Sequence, residues 1–310
     1  QNNFNDFEIL ILDLLDKFDS LFDGLSIAGA TLITWFWFFI TQFGDKFIFL
    51  GIMLLFYWCL NKQKGEKIAF AMFTSISINS LLKFFVGRTR PFDYSNGEYK
   101  HIRKLPSLDS AGGSSFPSGH SQNAATLFSS VALHERNSFT LISSIVIITL
   151  VPISRMYLGV HYPTDTIVGV GIGLVVSYLI YLISTYCYER KFIFYIGFLV
   201  LLFPFLLYSI NNPEGHYIFM SFGLFLGFVV GIFIENKCIN FTCNVRTSTK
   251  FLRCLIGVPI LAVTYVLISV IKSFLPDIVI LENIYTCISY SIISLLGFGI
   301  IPFIFKKQKR

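Results

Sequence analysis

Long uncharged apolar runs decide what this chain can become. Gly51–Leu60, Leu141–Ile153, Thr166–Ser184, Phe192–Ile210, Ile218–Ile234, Leu252–Ile271 and Ile284–Phe305 each carry few or no charged residues. A helix needs roughly 20 mostly apolar residues to cross a bilayer. In hydrocarbon only helices and closed barrels satisfy every backbone group internally. Strand-like alternation is absent, which removes the barrel. Composition agrees, with 54% hydrophobic and 14% charged residues, where a soluble domain carries about 25% charged residues. The expected fold class is an all-α, polytopic transmembrane helical bundle.

Helices are expected at about 45–61, 64–86, 119–134, 138–158, 162–186, 191–211, 215–235, 250–273 and 283–305, roughly nine spans. The third is short and polar, so neighbours should shield it. Ahead of them, Phe7, Leu10, Ile11, Leu14, Leu15, Phe18 and Leu21 recur at helical spacing with acids between them. That pattern predicts an amphipathic helix over 5–22, interfacial or packed. Ile27–Phe43, which bears Trp35 and Trp37, either lies at the interface or inserts. No cleavable signal peptide is expected, because the first residues lack a basic region and hold Asp6, Glu8 and Asp13.

The net charge of +6 does not point to nucleic acid, because the basic residues sit in loops between apolar runs. Alternating spans place Lys62, Lys64, Lys67, Arg136, Arg190, Lys191, Lys237, Arg246, Lys250, Arg253 and the tail Lys306, Lys307, Lys309 and Arg310 on one side. The positive-inside rule makes that side cytoplasmic. The polar loop 87–118 then faces away from the cytoplasm. The six cysteines show no zinc-like grouping and read as free thiols. Gly169, Gly171 and Gly173, and likewise Gly223, Gly227 and Gly231, read as close helix-packing faces.

Three short segments hold the chemistry. The first is Lys83-Phe-Phe-Val-Gly-Arg88-Thr-Arg90-Pro91. The second is Pro117-Ser118-Gly119-His120, and the third runs from Ser154-Arg155 through His161 and Pro163 to Asp165. Each falls at a helix end, and the topology puts all of them at one membrane face. Ionisable residues at membrane depth are costly and default to functional hypotheses. Lys83, Arg90 and Arg155 at one place would repel each other without an anion, and phosphate matches guanidinium forks and an ammonium. Ser118 can cap the next helix, whose free N–H groups bind phosphate. His161 and Asp165 are four apart, a spacing that lets the carboxylate meet the imidazole. Arg88 either assists phosphate or contacts lipid headgroups. Arg103 and Lys104 either help to recognise an anion or are solvated loop charges.

Lys-x6-Arg-Pro, Pro-Ser-Gly-His and Ser-Arg-x5-His-x3-Asp, in that order, resemble the signature motifs of the type-2 phosphatidic-acid-phosphatase and vanadium-haloperoxidase superfamily. The likeness covers about residues 45–186, and every signature position is filled. The resemblance implies a helical phosphatase core in its integral-membrane lipid phosphatase branch. It implies that His161 is the nucleophile, Asp165 orients it, and His120 is the general acid and then base. Lys83, Arg90, Ser118, Gly119 and Arg155 would bind the phosphoryl oxygens, with no metal and no cofactor.

The expected organisation is an N-terminal amphipathic segment at 1–43, a phosphatase core at 44–190 and additional transmembrane helices at 191–310. The expected function is hydrolysis of a lipid phosphate or diphosphate through a phosphohistidine, in the bilayer and on the extracytoplasmic face (the plasma membrane for a bacterial protein). The expected partners are that lipid substrate and the bilayer, and not nucleic acid. The alternatives are a sugar-phosphate phosphatase similar to glucose-6-phosphatases, suggested by the extra C-terminal spans, and a non-catalytic lipid-binding or transport relative.

Overall fold

The computed structural model describes residues 10, 11, 14, 26, 27, 30–91 and 112–305. Leu10, Ile11 and Leu14 are helical. The remainder of the expected helix at 5–22, most of the 87–118 loop with Arg103 and Lys104, and the basic tail 306–310 lie outside the described residues.

A two-residue antiparallel pairing of Ser26–Ile27 with Ala30–Thr31 leads into α1 (Leu32–Thr41) and α2 (Lys46–Leu55). Then follow α3 (Lys62–Val86), α4 (Gly119–Glu135), α5 (Ser138–Tyr157), α6 (Pro163–Tyr186) and α7 (Lys191–Ser209). The chain closes with α8 (His216–Ile234), α9 (Thr247–Lys272), α10 (Val279–Leu295) and the short α11 (Pro302–Phe305). Asparagine side chains start two of the long helices. Asn61 accepts from the Lys64 N–H at 3.0 Å and Asn137 from the Thr140 N–H at 2.9 Å, which satisfies donors that a helix leaves unpaired in its first turn.

Among the described residues, seven helices are long and apolar enough to cross a membrane. The pair Ile33–Gly44 and Lys46–Leu60, bent by 49°, passes the same test together, which makes eight. The protein is a multi-pass integral membrane protein. The remaining expected span is α4. With 17 residues it is shorter than any of the seven and polar as well, and it packs along α5 after a two-residue turn. Its polar residues Ser121, Gln122, Thr126 and Ser130 are all buried, so the predicted shielding is present.

The chain divides into two compact units. The first comprises residues 1–49 and 85–178. Its apolar centre is Trp37, Tyr157, Leu158 and Val160, flanked by Ile33, Ile40, Leu150 and Ile153. Helix α6 approaches α4 through small residues. A Cβ on Gly169 would stand 2.8 Å from the Ser118 carbonyl oxygen, and one on Gly173 would stand 2.7 Å from Ala125 Cβ. Gly171 faces open space, so it is not part of that contact. Ser129 Oγ donates to Ser177 Oγ at 2.6 Å across the same seam.

The second unit comprises residues 50–84 and 179–310. Helix α8 lies against α10 along Gly223, Gly227 and Gly231, where added methyl groups would meet backbone atoms of Cys287, Ser291 and Gly299. Single wide turns continue three helices, at Phe56–Leu60, Glu235–Ile239 and Leu296–Ile300. They bring Trp58 Nε1 to the Gly297 carbonyl at 2.9 Å and Tyr57 Oη to the Phe298 carbonyl at 3.1 Å.

The two buried carboxylates in this unit are paired, as hydrocarbon demands. Glu66 accepts from Tyr195 Oη at 2.9 Å, Tyr188 Oη at 3.1 Å and Lys191 Nζ at 2.6 Å. Glu235 accepts from Lys62 Nζ at 3.0 Å and from the Phe241 N–H at 3.0 Å. The Asn236 amide, turned so that its nitrogen faces Glu235 and its oxygen faces Lys191, joins the two clusters.

Candidate active site

The third segment owes its shape to the end of α5. Gly159 takes φ +67°, a left-handed conformation that suits a residue without a side chain. Its N–H returns to the Met156 carbonyl at 2.9 Å, and the Val160 N–H returns to that of Arg155 at 3.3 Å. The turn reverses the chain within a few residues and Pro163 starts α6. It explains why five residues separate Arg155 from His161, since both belong to one reversal.

Asp165 lies in the first turn of α6 and is fully buried. Its Oδ2 accepts from the Tyr162 N–H at 3.0 Å and stands 3.4 Å from His161 Nδ1. Ser115 Oγ donates to the same Oδ2 and lies 3.3 Å from His161 Nδ1. Oδ1 accepts from Arg88 Nη1 at 3.0 Å, and that guanidinium also reaches Thr164 Oγ1 at 2.8 Å and stacks 3.7 Å from the Tyr162 ring centre. Both carboxylate oxygens are therefore occupied, which a buried charge requires.

His161 is buried and its other nitrogen faces a cation, with Nε2 3.3 Å from Arg90 Nη1. Arg90 is held by carbonyl oxygens of Gly112 at 2.9 Å, Gly113 at 2.9 Å and Val160 at 3.1 Å. Two acceptors near Nδ1 and a donor near Nε2 favour the tautomer with hydrogen on Nδ1. That tautomer leaves a lone pair on Nε2.

The Ser118 N–H donates to the Asp165 carbonyl at 3.0 Å, which ties the start of α4 to the start of α6. Ser118 Oγ caps α4, accepting from the Ser121 N–H at 3.4 Å and the Ser121 hydroxyl at 2.9 Å. Gly119 and His120 form the first turn of α4, where N–H groups have no partner inside the helix. His120 is partly exposed, and its backbone packs on Gly44, where an added Cβ would stand 2.5 Å from the His120 carbonyl oxygen.

Arg155 is buried in the last turn of α5 and donates to Thr41 Oγ1 at 3.1 Å. Its Nε has no hydrogen-bond partner among the described residues. The charges of Arg90 and Arg155 repel each other, and Asp45 offsets only part of this for Arg155. Lys83 is buried in the last turn of α3, seven residues before Arg90, and belongs to the second compact unit. Gly87, at φ +59°, turns the chain between the two.

Arg90, Ser118, Arg155, His161 and Asp165 are thus linked through bonds or adjacent backbone within one unit. Arg88 binds Asp165, a contact in addition to the two courses expected of it. Ser115, Thr41 and Gly44 escaped the sequence reading. Ser115 carried a faint signal, standing just ahead of Pro117-Ser118-Gly119-His120. Among the described residues no group of three or more His, Cys, Asp or Glu side chains could hold a metal ion.

Two protein-family models match the chain. One, the PAP2 superfamily, covers residues 66–189, and the other, the PAP2 superfamily phosphatase transmembrane extension, covers 219–309. Phosphatidylglycerophosphatase B of Bacillus subtilis is 34% identical over 112 residues, which is 33% of this chain and 49% of that protein. Lipid A 4'-phosphatase of Porphyromonas gingivalis is 30% identical over 156 residues, 46% of this chain and 63% of that protein. Undecaprenyl-diphosphatase of Sulfolobus acidocaldarius is 27% identical over 146 residues, 46% of this chain and 66% of that protein. The chain therefore spans about half to two thirds of these relatives' length. The crystal structure of Aquifex aeolicus LpxE aligns over 57% of this chain and 96% of its own, at 21% identity and a TM-score of 0.46. The chain belongs to the PAP2 superfamily, with a PAP2 domain at 66–189 followed by the superfamily's transmembrane extension at 219–309.

Proposed function

We propose that this protein is an integral-membrane phosphatase that releases phosphate from a membrane lipid through a phosphohistidine on His161. The observation that carries the reading is the polarity of that imidazole. Its Nδ1 edge faces Ser115 and Asp165, and its Nε2 edge faces Arg90. Nε2 attacks phosphorus in line, a P–N bond forms, and the P–O bond to the lipid breaks. His120 gives its proton to the leaving oxygen. Water then attacks phosphorus and passes a proton to His120, the P–N bond breaks, and phosphate leaves with both histidines restored.

Arg90, Arg155 and the first-turn N–H groups that Ser118 and Gly119 hold in place take the phosphoryl oxygens, where charge concentrates in the transition state. The mutual repulsion of Arg90 and Arg155 and the unpartnered Nε of Arg155 support an anion at this place. Lys83 is assigned to the same anion from its motif spacing alone. The relatives support a lipid, being named for phosphatidylglycerophosphate, lipid A and undecaprenyl diphosphate. The bias of basic residues toward the start of α3, the start of α7 and the 240–250 loop supports an extracytoplasmic site for the histidines.

The test is phosphate release by the purified full chain from those lipids and from glucose 6-phosphate, with and without chelator. Release from at least one of the lipids, insensitive to chelator, is expected. No release from any substrate overturns the reading, and release from glucose 6-phosphate alone replaces the lipid by a sugar phosphate.

A further inference from the structure

The second compact unit holds a polar cavity that the proposed reaction does not use. Its volume is about 720 Å³, and Asn61, Lys62, Asn240, Thr242, Cys243 and Lys250 are among the residues that line it. That volume falls within the roughly 300–1,000 Å³ of ordinary ligand sites. Among the described residues no carboxylate lines it. Three candidate spans, Lys62–Val86, Pro213–Ile239 and Thr247–Lys272, have ends next to it. It therefore lies where lipid headgroups meet water. Lys62 and Lys83 stand in the first and last turns of one 25-residue helix, roughly 32 Å apart at 1.5 Å per residue.

The charge balance favours an anion. Glu235, which is bonded to the lining residues Lys62 and Phe241, is already engaged by both. Lys62 is saturated in turn, since it also donates to Asn240 Oδ1 at 3.2 Å. Lys250 is half-buried and makes no ion pair among the described residues. Arg253, one turn further along α9, is fully buried, with its guanidinium 5.3 Å from the ring of the lining residue Phe241. The cavity is thus left with the uncompensated charge of Lys250, with Arg253 behind it.

Backbone dipoles add to this. The starts of α3 and α9 both border the cavity, and the Lys62 N–H points at the Cys243 thiol in its wall. Helix N-termini favour negative charge. The fields of Arg253, Lys250 and Lys62 also converge on that thiol.

From this we infer that the cavity at the starts of α3 and α9 seats a phosphate-bearing anion, drawn either from the headgroup of an anionic phospholipid or from free phosphate. The inference is independent of the phosphatase reading, because none of its residues belongs to the histidine site.

Cys243 reports on occupancy. Burial pushes its thiol up, so labelling with N-ethylmaleimide is run at mildly alkaline pH and read by peptide mass spectrometry. Cys238, which is exposed and does not line the cavity, is the internal control. The full-length protein is compared in phosphatidylcholine vesicles, in vesicles containing phosphatidylglycerol, and in detergent with inorganic phosphate or chloride at equal ionic strength. An anion held at ten times its dissociation constant slows Cys243 labelling by about tenfold, with Cys238 unchanged. Protection by phosphatidylglycerol alone identifies a lipid headgroup. Protection by inorganic phosphate alone identifies the free ion, and protection by both supports a seat that accepts either. Lys250→Gln should remove the protection while leaving the Cys238 rate as it was. Equal Cys243 rates in every condition, or full protection retained in Lys250→Gln, overturn the inference.

Discussion

Arg88 holds one oxygen of Asp165 at 3.0 Å, and in doing so decides which oxygen faces the imidazole of His161. The other oxygen, 3.4 Å from His161 Nδ1, is shared with Ser115 and the Tyr162 N–H. The dyad read from the sequence is therefore a clamp of four side chains, and its outer members make separate predictions.

Ser115→Ala removes a donor to a buried carboxylate and an acceptor for Nδ1–H. Hydrogen bonds to charged groups contribute about 1.5–3 kcal/mol. If that is lost in the transition state, kcat falls roughly 10- to 150-fold. Ser115→Thr, which keeps the hydroxyl, should recover most of the rate. Steady-state phosphate release from both variants checks this, and an unaffected Ser115→Ala would remove the serine from the clamp.

Arg88→Lys separates two roles. A lysine cannot stack on Tyr162 while also reaching Thr164 and Asp165. A residue acting through Asp165 should lower kcat by about tenfold or more with KM little changed. A residue binding the substrate phosphate would raise KM instead. Full kinetic curves on a lipid substrate decide between them.

The helix seams predict opposite outcomes for two nearby glycines. A methyl on Gly173 meets Ala125 Cβ and the Gln122 carbonyl oxygen, each at 2.7 Å, whereas one on Gly171 meets nothing within 4 Å. Gly173→Ala should destabilise by about 1–3 kcal/mol through overpacking. Gly171→Ala should be neutral, or stabilise by up to about 1 kcal/mol, because alanine loses less freedom in a helix. Thermal denaturation in detergent measures the difference.

Glu66→Ala breaks a buried pair and strands Lys191 together with two tyrosine hydroxyls. Removing one member of a buried pair costs about 3–5 kcal/mol. The Tm should fall sharply, and Tyr195→Phe, which takes away one donor of three, should fall by less. Equal Tm values for Glu66→Ala and the parent protein would mean that the cluster contributes nothing.

Much of this was legible in the sequence for one reason. A lysine, two arginines and two histidines are conspicuous beside long apolar runs, so Lys83, Arg90, His120, Arg155 and His161 stand out individually. Ser115 does not, because serine is common in the 87–118 loop and its value lies in a hydroxyl meeting a residue 50 positions away. Thr41 is hidden for the same reason, since its partner Arg155 is 114 positions on. Spacing alone groups Gly171 with Gly169 and Gly173, yet residues two apart point to different sides of a helix. Helix α4 was placed by its cap and neighbours, and its polarity makes sense only once its buried environment is seen.

The Glu66 and Glu235 clusters also bear on how the protein is made. Glu66 leaves the ribosome 122 residues before Tyr188, and Lys62 leaves it 173 residues before Glu235. During synthesis α3 therefore enters the bilayer with ionised groups whose neutralising partners do not yet exist. Its early insertion has to be provisional, with its first turn left near water or sheltered by the insertion machinery. Only arrival of the last third of the polypeptide lets α3 settle. The transmembrane extension would then act as a late folding partner for the helix that carries Lys83, and a nascent chain stalled before residue 235 should remain extractable or prone to degradation.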